Sequence, residues 1–252
     1  MRVALGAVAR RLLAEFGVRI QSQVVTIGAA SMLKTDHLNS SWEAWAEAVE
    51  SSEVRCPDTA STEAMKAEID KGMAGGYSLG GIFEVVAAGL PPGLGSYTQG
   101  DRKLTARLSS AVMGIQAIKG VEIGLGFEMG RRPGSEVMDE IFHGPDGYYR
   151  STNNAGGLEG GMTTGMPLIL RAVMKPIPTL KKPLRSVNIR THEPMEAAYE
   201  RSDVCAVPAA AVVAEAMVAL TLANAFLEKF GGDSVAEIRR NMTGYLDDIR
   251  KR

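Results

Sequence analysis

The sequence predicts an α+β fold. Strand-length apolar or β-branched runs occur at 18–27, 80–88, 121–127 and 168–174, and helical spacing of apolar residues occurs at 2–16, 104–115, 207–229 and 234–251. The two kinds of element mix without a regular strand–helix repeat, which disfavours a doubly wound parallel sheet. At 252 residues the chain can bury a sizeable core, and no internal repeat or low-complexity linker divides it, so 1–252 reads as a single domain.

Each element has a local reason. Val3, Ala7, Leu13 and Phe16 lie on one side of a helix that Gly17 can close in the left-handed conformation. No N-cap precedes that helix, so further chain is expected before Met1. Val18 and Ile20 alternate with polar residues and open a strand to residue 27. Ser40 and Glu43 form a capping box for a short helix reaching residue 50. Pro57 and Asp58 start another to about residue 73, with Glu63, Lys66 and Glu68 on its polar face. A strand over 80–88 carries Ile82, Val85 and Val86, and a Pro/Gly turn region follows at 89–96. Asp101 is expected to cap a helix bearing Leu104, Leu108, Ala111, Val112 and Ile115. A glycine-interrupted strand is expected at 121–127. The run 168–174 is broken only by Arg171 and is bounded by Pro167 and Pro176. Two helices follow, the first stopped by Gly231 and Gly232.

Composition excludes several classes. A formal charge of −1 offers no Lys/Arg excess for a nucleic-acid surface. Residues 206–226 are nearly all apolar, but Glu215 stands mid-span, where a carboxylate costs about 2.5–3.5 kcal/mol to insert into a bilayer. A helix buried in a soluble core is the better reading, with no membrane span and a cytoplasmic location. Cys56 and Cys205 lack metal-ligand or disulfide-framework spacing. His37, His143 and His192 are scattered, and His192-Glu193 fails as a zinc motif because Glu196 stands where the second histidine belongs. No metal site is expected.

Four segments bear on chemistry. Gly76-Tyr77-Ser78-Leu79-Gly80 matches GxSxG, yet a helix precedes and a strand follows, the reverse of a nucleophile elbow. The glycine-rich loop at 156–165, with Asn153, Asn154, Thr163 and Thr164 about it, has bare N–H groups suited to anions but neither Walker nor Rossmann spacing. Its bland reading is a flexible surface connection. Lys175-Pro176-Ile177-Pro178-Thr179 is stiff, because proline fixes its own φ and restricts its predecessor. Arg201-Ser202-Asp203 precedes the long apolar helix and can serve as its N-cap, converge on a ligand, or do both.

In order, these segments resemble the chorismate synthase family. The matching blocks are Gly89-Leu-Pro-Pro-Gly-Leu-Gly-Ser96, Asp101-Arg-Lys-Leu104, Ala117-Ile-Lys-Gly-Val-Glu-Ile-Gly124, 153–179, and Glu200-Arg-Ser-Asp-Val-Cys-Ala-Val-Pro208 running into Ala214-Glu215. The resemblance runs essentially from Met1 to the C-terminus. Arg2-Val3-Ala4-Leu5-Gly6-Ala7 is similar to the tail of a family motif whose Ser-Ala-Arg-Glu-Thr part is not in the sequence. Tyr77 stands where the family commonly has Asp, and Gln99-Gly100 where an aromatic often stands.

The resemblance implies a β-α-β sandwich, incomplete at its N-terminus, and an enzyme that eliminates phosphate and a ring hydrogen from 5-enolpyruvylshikimate 3-phosphate to give chorismate. Reduced FMN is required and not consumed. It further implies a homotetramer and a supply of reduced flavin, intrinsic or from an NADPH-using reductase. Gln116, Ala117, Gly160, Lys175, Pro176, Ile177, Pro178, Thr179 and Arg201 match flavin-contacting positions, and Asp203 matches an aspartate linked to proton handling. Its protonation would be tuned by burial and by Arg201. The family's first third carries two catalytic histidines, substrate-binding arginines and a further flavin contact, and the three histidines here match none of those positions. Two expectations follow: an enzyme polypeptide that does not turn over alone, or a non-catalytic flavin- or subunit-binding remnant.

Overall fold

A computed structural model describes residues 1–32, 41–145 and 147–251. In chain order the elements are α1 (Arg2–Ala14), β1 (Arg19–Ile27), β2 (Ala30–Ser31), α2 (Trp42–Ser51), α3 (Thr59–Gly75), β3 (Gly81–Ala88), α4 (Leu104–Met113), β4 (Ile118–Ile123) and a 3-10 helix (Gly126–Arg131). There follow α5 (Gly134–Val137), β5 (Ile141–Gly144), β6 (Gly147–Arg150), β7 (Leu158–Glu159), β8 (Met162–Thr163), β9 (Leu168–Met174), β10 (Arg185–Val187), β11 (Pro194–Glu196), α6 (Val207–Phe230) and α7 (Val235–Arg250).

The main sheet has the order β2-β1-β3-β9-β4, antiparallel throughout. Its period-2 pattern separates two faces. Ile20, Val24, Phe83, Val85, Leu168, Leu170 and Ala172 point to one side and are buried against α6, α1 and α4. On the other face Val86 packs with Trp45 and Val49 of α2. Trp45 Nε1 donates to Gln23 Oε1 at 2.8 Å, and Gln23 Nε2 donates to Glu84 Oε1 at 3.0 Å. A layer of helices thus lies on a sheet, the α+β architecture expected.

The helix α6 passes a length-and-composition test for crossing a membrane, with a mean hydropathy of 1.9. Its buried residues nevertheless recur around most of the cylinder, because α1, β1, β3 and α4 all pack on it. Gly6 of α1 makes that approach close. A Cβ there would fall 2.3 Å from Ala216 Cβ and 2.5 Å from Ala216 Cα, so only glycine fits.

Among the described residues, one carboxylate enters the layer between α6 and the sheet. Glu215, 2% exposed, accepts from Arg10 Nη1 at 2.6 Å, Arg55 Nη2 at 2.8 Å, and Ser22 N and Oγ at 2.7 and 2.6 Å. Arg10 also donates to Ile20 O, and Arg55 pairs with Glu50 at 2.9 Å. Four donors on three separate stretches therefore neutralise and solvate one buried carboxylate, the condition under which burial is tolerated.

Some boundaries differ from expectation. The N-cap of α2 is Ser41, whose side chain accepts from Ala44 N; Ser40 and His37 lie outside the described residues. Asp101 does not cap α4, because the helix starts at Leu104, with Lys103 at the cap position and no side-chain cap bond. The strand expected at 121–127 instead occupies Ile118–Ile123 and is bulged between Ile118 and Gly120. It ends because Gly124 and Gly126 turn left-handed, at φ 62° and 56°, into the 3-10 helix. Ser202 and Asp203 do not cap α6, whose N-cap is Ala206 with Pro at the first turn. The remaining expected helices and strands stand within a few residues of their predicted bounds.

Removing the Glu215 carboxylate takes the buried acceptor from Arg55 Nη2 and from Ser22 N and Oγ, leaving Arg55 its more exposed pair with Glu50. Glu215→Ala is expected to cost about 3–5 kcal/mol, read as a lower urea midpoint at an unchanged denaturant slope. Arg19→Ala, which breaks an exposed pair with Glu43, should cost no more than about 1 kcal/mol.

Candidate functional site

Three chain segments meet at the end of β9. The strand stops there because Pro176 and Pro178 supply no N–H for a ladder. Lys175 N donates to Ala117 O at 2.9 Å. Ala117 holds φ 65°, an uncommon value for a residue with a side chain, and sits with Gln116 in the turn between α4 and β4. The proline segment then crosses the turn after α3. Ser78 Oγ donates to Ile177 O, and Lys182 N donates to Gly76 O at 3.0 Å. Gly80 permits this crossing, since a Cβ there would lie 2.3 Å from Met174 O.

The third segment precedes α6. Leu79 N donates to Val204 O at 2.7 Å, and Leu79 forms a parallel bridge with Cys205. The Thr179 hydroxyl donates to the Ser202 hydroxyl at 2.9 Å, which in turn donates to Thr179 O at 3.2 Å. Between these segments opens a cavity of about 310 Å³, lined among others by Tyr77, Ser78, Thr179, Lys181, Arg201 and Asp203.

Most of the candidate residues are thereby brought together. They fall in two groups: Ala117, next to Gln116, bonds Lys175, while Thr179, Arg201 and Asp203 line one cavity whose lining does not include 116–117 or 175–178. Pro176 and Pro178 are exposed; Lys175, Ile177 and Thr179 are half-buried. Asp203 departs from expectation, being exposed and, among the described residues, without an ion pair to Arg201. The reason is local: the chain from 201 to 203 runs over the surface on the Ser202–Thr179 bonds, before α6 enters the core. Gly160 also stands apart. It lies at φ 59° in the turn between β7 and β8, and the next residue's carbonyl accepts from Leu104 N at 2.8 Å. That is the N-terminal end of α4, whereas Ala117 follows its C-terminal end, about 15 Å away for ten residues.

The glycine-rich loop is not a flexible connection. Asp139, 8% exposed, accepts from Thr152 Oγ1, Asn154 N at 2.7 Å and Ala155 N at 2.9 Å. Burial alone would raise its carboxyl above the usual value. The bonds from Thr152, Ala155 and Asn154, with the charge of Arg150, more than offset this and hold it below. Asn153 bridges the loop, accepting from Gly157 N and donating to Pro167 O, both at 2.8 Å. Gly156 and Gly124 pack backbone to backbone, where any Cβ would collide. Thr163 Oγ1 donates to Pro91 O and accepts from Leu94 N, tying the loop to the turn after β3.

His143 stacks edge-on to Tyr148 and His192 occupies a left-handed turn, both away from this cavity. Burial pushes the Cys56 and Cys205 thiols upward. Sequence reasoning set Ser78 aside with the failed nucleophile elbow, and Asp139 carried no motif. The only available signal for Ser78 was a small hydroxyl in a glycine turn leading into a strand.

An antiparallel sheet backed by helices, with a polar cavity lined by Thr179 at the end of a proline-stiffened segment and by Arg201 and Asp203, defines an α+β protein with a candidate site at one end of its sheet. The family model for chorismate synthase matches residues 1–227. The chain is 58% identical to the chorismate synthase of Pelobacter propionicus and 55% identical to that of Geobacter sulfurreducens, each over 99% of this chain and 65% of the relative. A solved chorismate synthase structure superposes with a TM-score of 0.85 at 45% identity, covering 100% of this chain and 69% of that one. The chain belongs to the chorismate synthase family, and it spans about 65% of the length of the curated relatives it matches.

The lowered Asp139 value carries a pH consequence. Its contribution to stability is fully present above the unfolded carboxyl's usual value of 3.8 and is lost as pH falls through the folded value beneath it. Asp139→Asn should therefore speed amide exchange at Asn154 and Ala155 at least tenfold at pH 6, and should flatten the acid limb of stability below about pH 4.

Proposed function

We propose that this chain provides the flavin-facing part of chorismate formation, the trans-1,4-elimination of phosphate from 5-enolpyruvylshikimate 3-phosphate. The observation that carries this reading is that Thr179, at the end of the proline segment, lines one cavity with Arg201 and Asp203, while Lys175 at the segment's start is bonded to Ala117, so that three distant parts of the sequence are joined. Its volume is at the lower end of ligand pockets, about 300–1,000 Å³. Lys181 and Arg201 line it as cations without an acidic partner among the described residues, a donor set that suits an anionic planar ring and its phosphate.

In this reading 1–252 acts as a single domain. Reduced FMN, when bound, supplies electron density to the allylic system as phosphate departs. The chain's own groups do the rest. Arg201 and Lys175 stabilise negative charge on the cofactor side. The rigid 175–179 segment fixes the wall against which the ring lies. Asp203, at the cavity mouth, accepts and returns a proton at the ring's edge. Turnover requires groups from the part of the relatives' length that this chain does not span. The same reading carries a homotetramer in the cytoplasm, with flavin kept reduced by intrinsic chemistry or by an NADPH-using reductase.

The test is an anaerobic titration with dithionite-reduced FMN, followed by mixing with the N-terminal third of the Pelobacter propionicus relative. Flavin binding with restored chorismate production supports the proposal; tight assembly without turnover favours a non-catalytic binding remnant; no flavin binding before or after mixing overturns both. Arg201→Ala should weaken reduced FMN at least tenfold. Asp203→Asn should leave that affinity within about threefold but lower restored turnover by about 10²–10⁴.

A further inference from the structure

The GxSxG turn takes no part in the chemistry just proposed, yet its serine is in an unusual place. Ser78 is 9% exposed, and its hydroxyl proton is committed to Ile177 O. A nucleophile would need that proton drawn toward a base, so the bond argues against a catalytic hydroxyl. It points instead to a role in holding the acceptor.

Ile177 is the centre of Lys175-Pro176-Ile177-Pro178-Thr179. Prolines on both sides remove two of the N–H groups by which a strand end is normally anchored. The segment is tied at its entrance by Lys175 N to Ala117 O and at its exit by the Thr179–Ser202 pair. Ser78 supplies the side-chain tie at its midpoint. The neighbouring residue, Leu79, uses its backbone to hold Val204 at 2.7 Å and to bridge Cys205. Two consecutive residues therefore grip the two segments that contribute Thr179 and Arg201–Val204 to the cavity lining, one by side chain and one by main chain.

We infer that Ser78 is a positioning residue that sets the spacing between the 175–179 segment and the Arg201–Asp203 segment, and through that spacing the affinity for flavin. The inference rests on the flavin reading above. Threonine keeps the hydroxyl at this position, alanine removes it, and neither alters the backbone grip of Leu79. Loss of the bond frees the Ile177 carbonyl to rotate away from the 76–80 turn and lets the segment that ends at Thr179 shift, because the flanking prolines offer no N–H to hold it.

The test compares the 252-residue chain with Ser78→Ala and Ser78→Thr by three measurements: thermal unfolding, the backbone carbonyl ¹³C shift of Ile177, and anaerobic titration with reduced FMN. The expected result for Ser78→Ala is an upfield Ile177 carbonyl shift and at least tenfold weaker flavin binding by a chain that still unfolds cooperatively. Ser78→Thr should restore both within about threefold. Flavin affinity unchanged within twofold in Ser78→Ala, despite the shifted carbonyl, overturns the positioning role while leaving the flavin reading intact. Equal weakening by both variants also overturns it, since that is the response to packing damage. If the unaltered chain binds no reduced FMN even after mixing with the N-terminal third of a relative, the flavin reading fails first, and this inference fails with it.

Discussion

A single buried carboxylate organises the molecule. Glu215 lies two-fifths of the way along α6, the most apolar helix of the chain, and meets Arg10 from α1, Ser22 from β1 and Arg55 from the loop before α3. An ion in that layer is stable only when every acceptor position is used, so rotation or sliding of α6 by one residue would strand the Glu215 carboxylate away from Arg10 and Arg55. The apolar surface of α6 is compatible with several rotations, and the carboxylate selects among them. In this way electrostatics fixes what the hydrophobic effect leaves loosely specified.

The register of α6 matters at its start. Val204 and Cys205 pair with Leu79 just before the helix begins, so the clamp and the bridge together determine where Arg201 and Asp203 emerge. The segment that ends at Thr179 is built differently. There a strand of the core sheet runs into two prolines, and the chain leaves the sheet as a stiff rod held at discrete points. A site assembled this way rests on a few backbone bonds and on close glycine approaches such as Gly80 against Met174 O. Its shape is therefore more sensitive to small changes at glycines and hydroxyls than to changes in the exposed side chains that line it.

Much of the fold was legible in the sequence because its periodicities are strong. The alternation Leu168, Leu170, Ala172, Met174 and the helical stripe Leu104, Leu108, Val112 describe surfaces that must be buried. Asp58 and Gly76 mark the ends of α3 through ordinary cap chemistry. The boundaries that moved did so for tertiary reasons: β4 shifted toward Ile118 because its partner β9 runs to Met174, and α4 began after Asp101 because Leu104 N bonds Gly161 O. The short hairpins β5–β6 and β10–β11 have no buried face to impose a period, and β7–β8 buries a single cross-strand pair, Leu158 and Thr163, too short to show one. The site was readable only where residues are adjacent in sequence. That Ser78 faces Ile177, or that Asp139 fastens the loop at 152–155, depends on partners 13 to 99 residues away. The glycine loop read as flexible because composition reports the freedom of a chain and not the bonds that remove it.

The close crossing of α1 and α6 has a bearing on how the protein is made. Gly6 and Ala216 touch, but about 200 residues must be synthesised between them, which takes roughly 10–40 s at about 5–20 residues per second. Throughout that interval the first helix emerges from the ribosome with its apolar stripe and the lone charge of Arg10 lacking their eventual partners. The nascent chain must be shielded or loosely collapsed until α6 arrives. Variants at Gly6 should consequently lower soluble yield in the cell as well as the melting temperature, since they obstruct the docking that ends this interval.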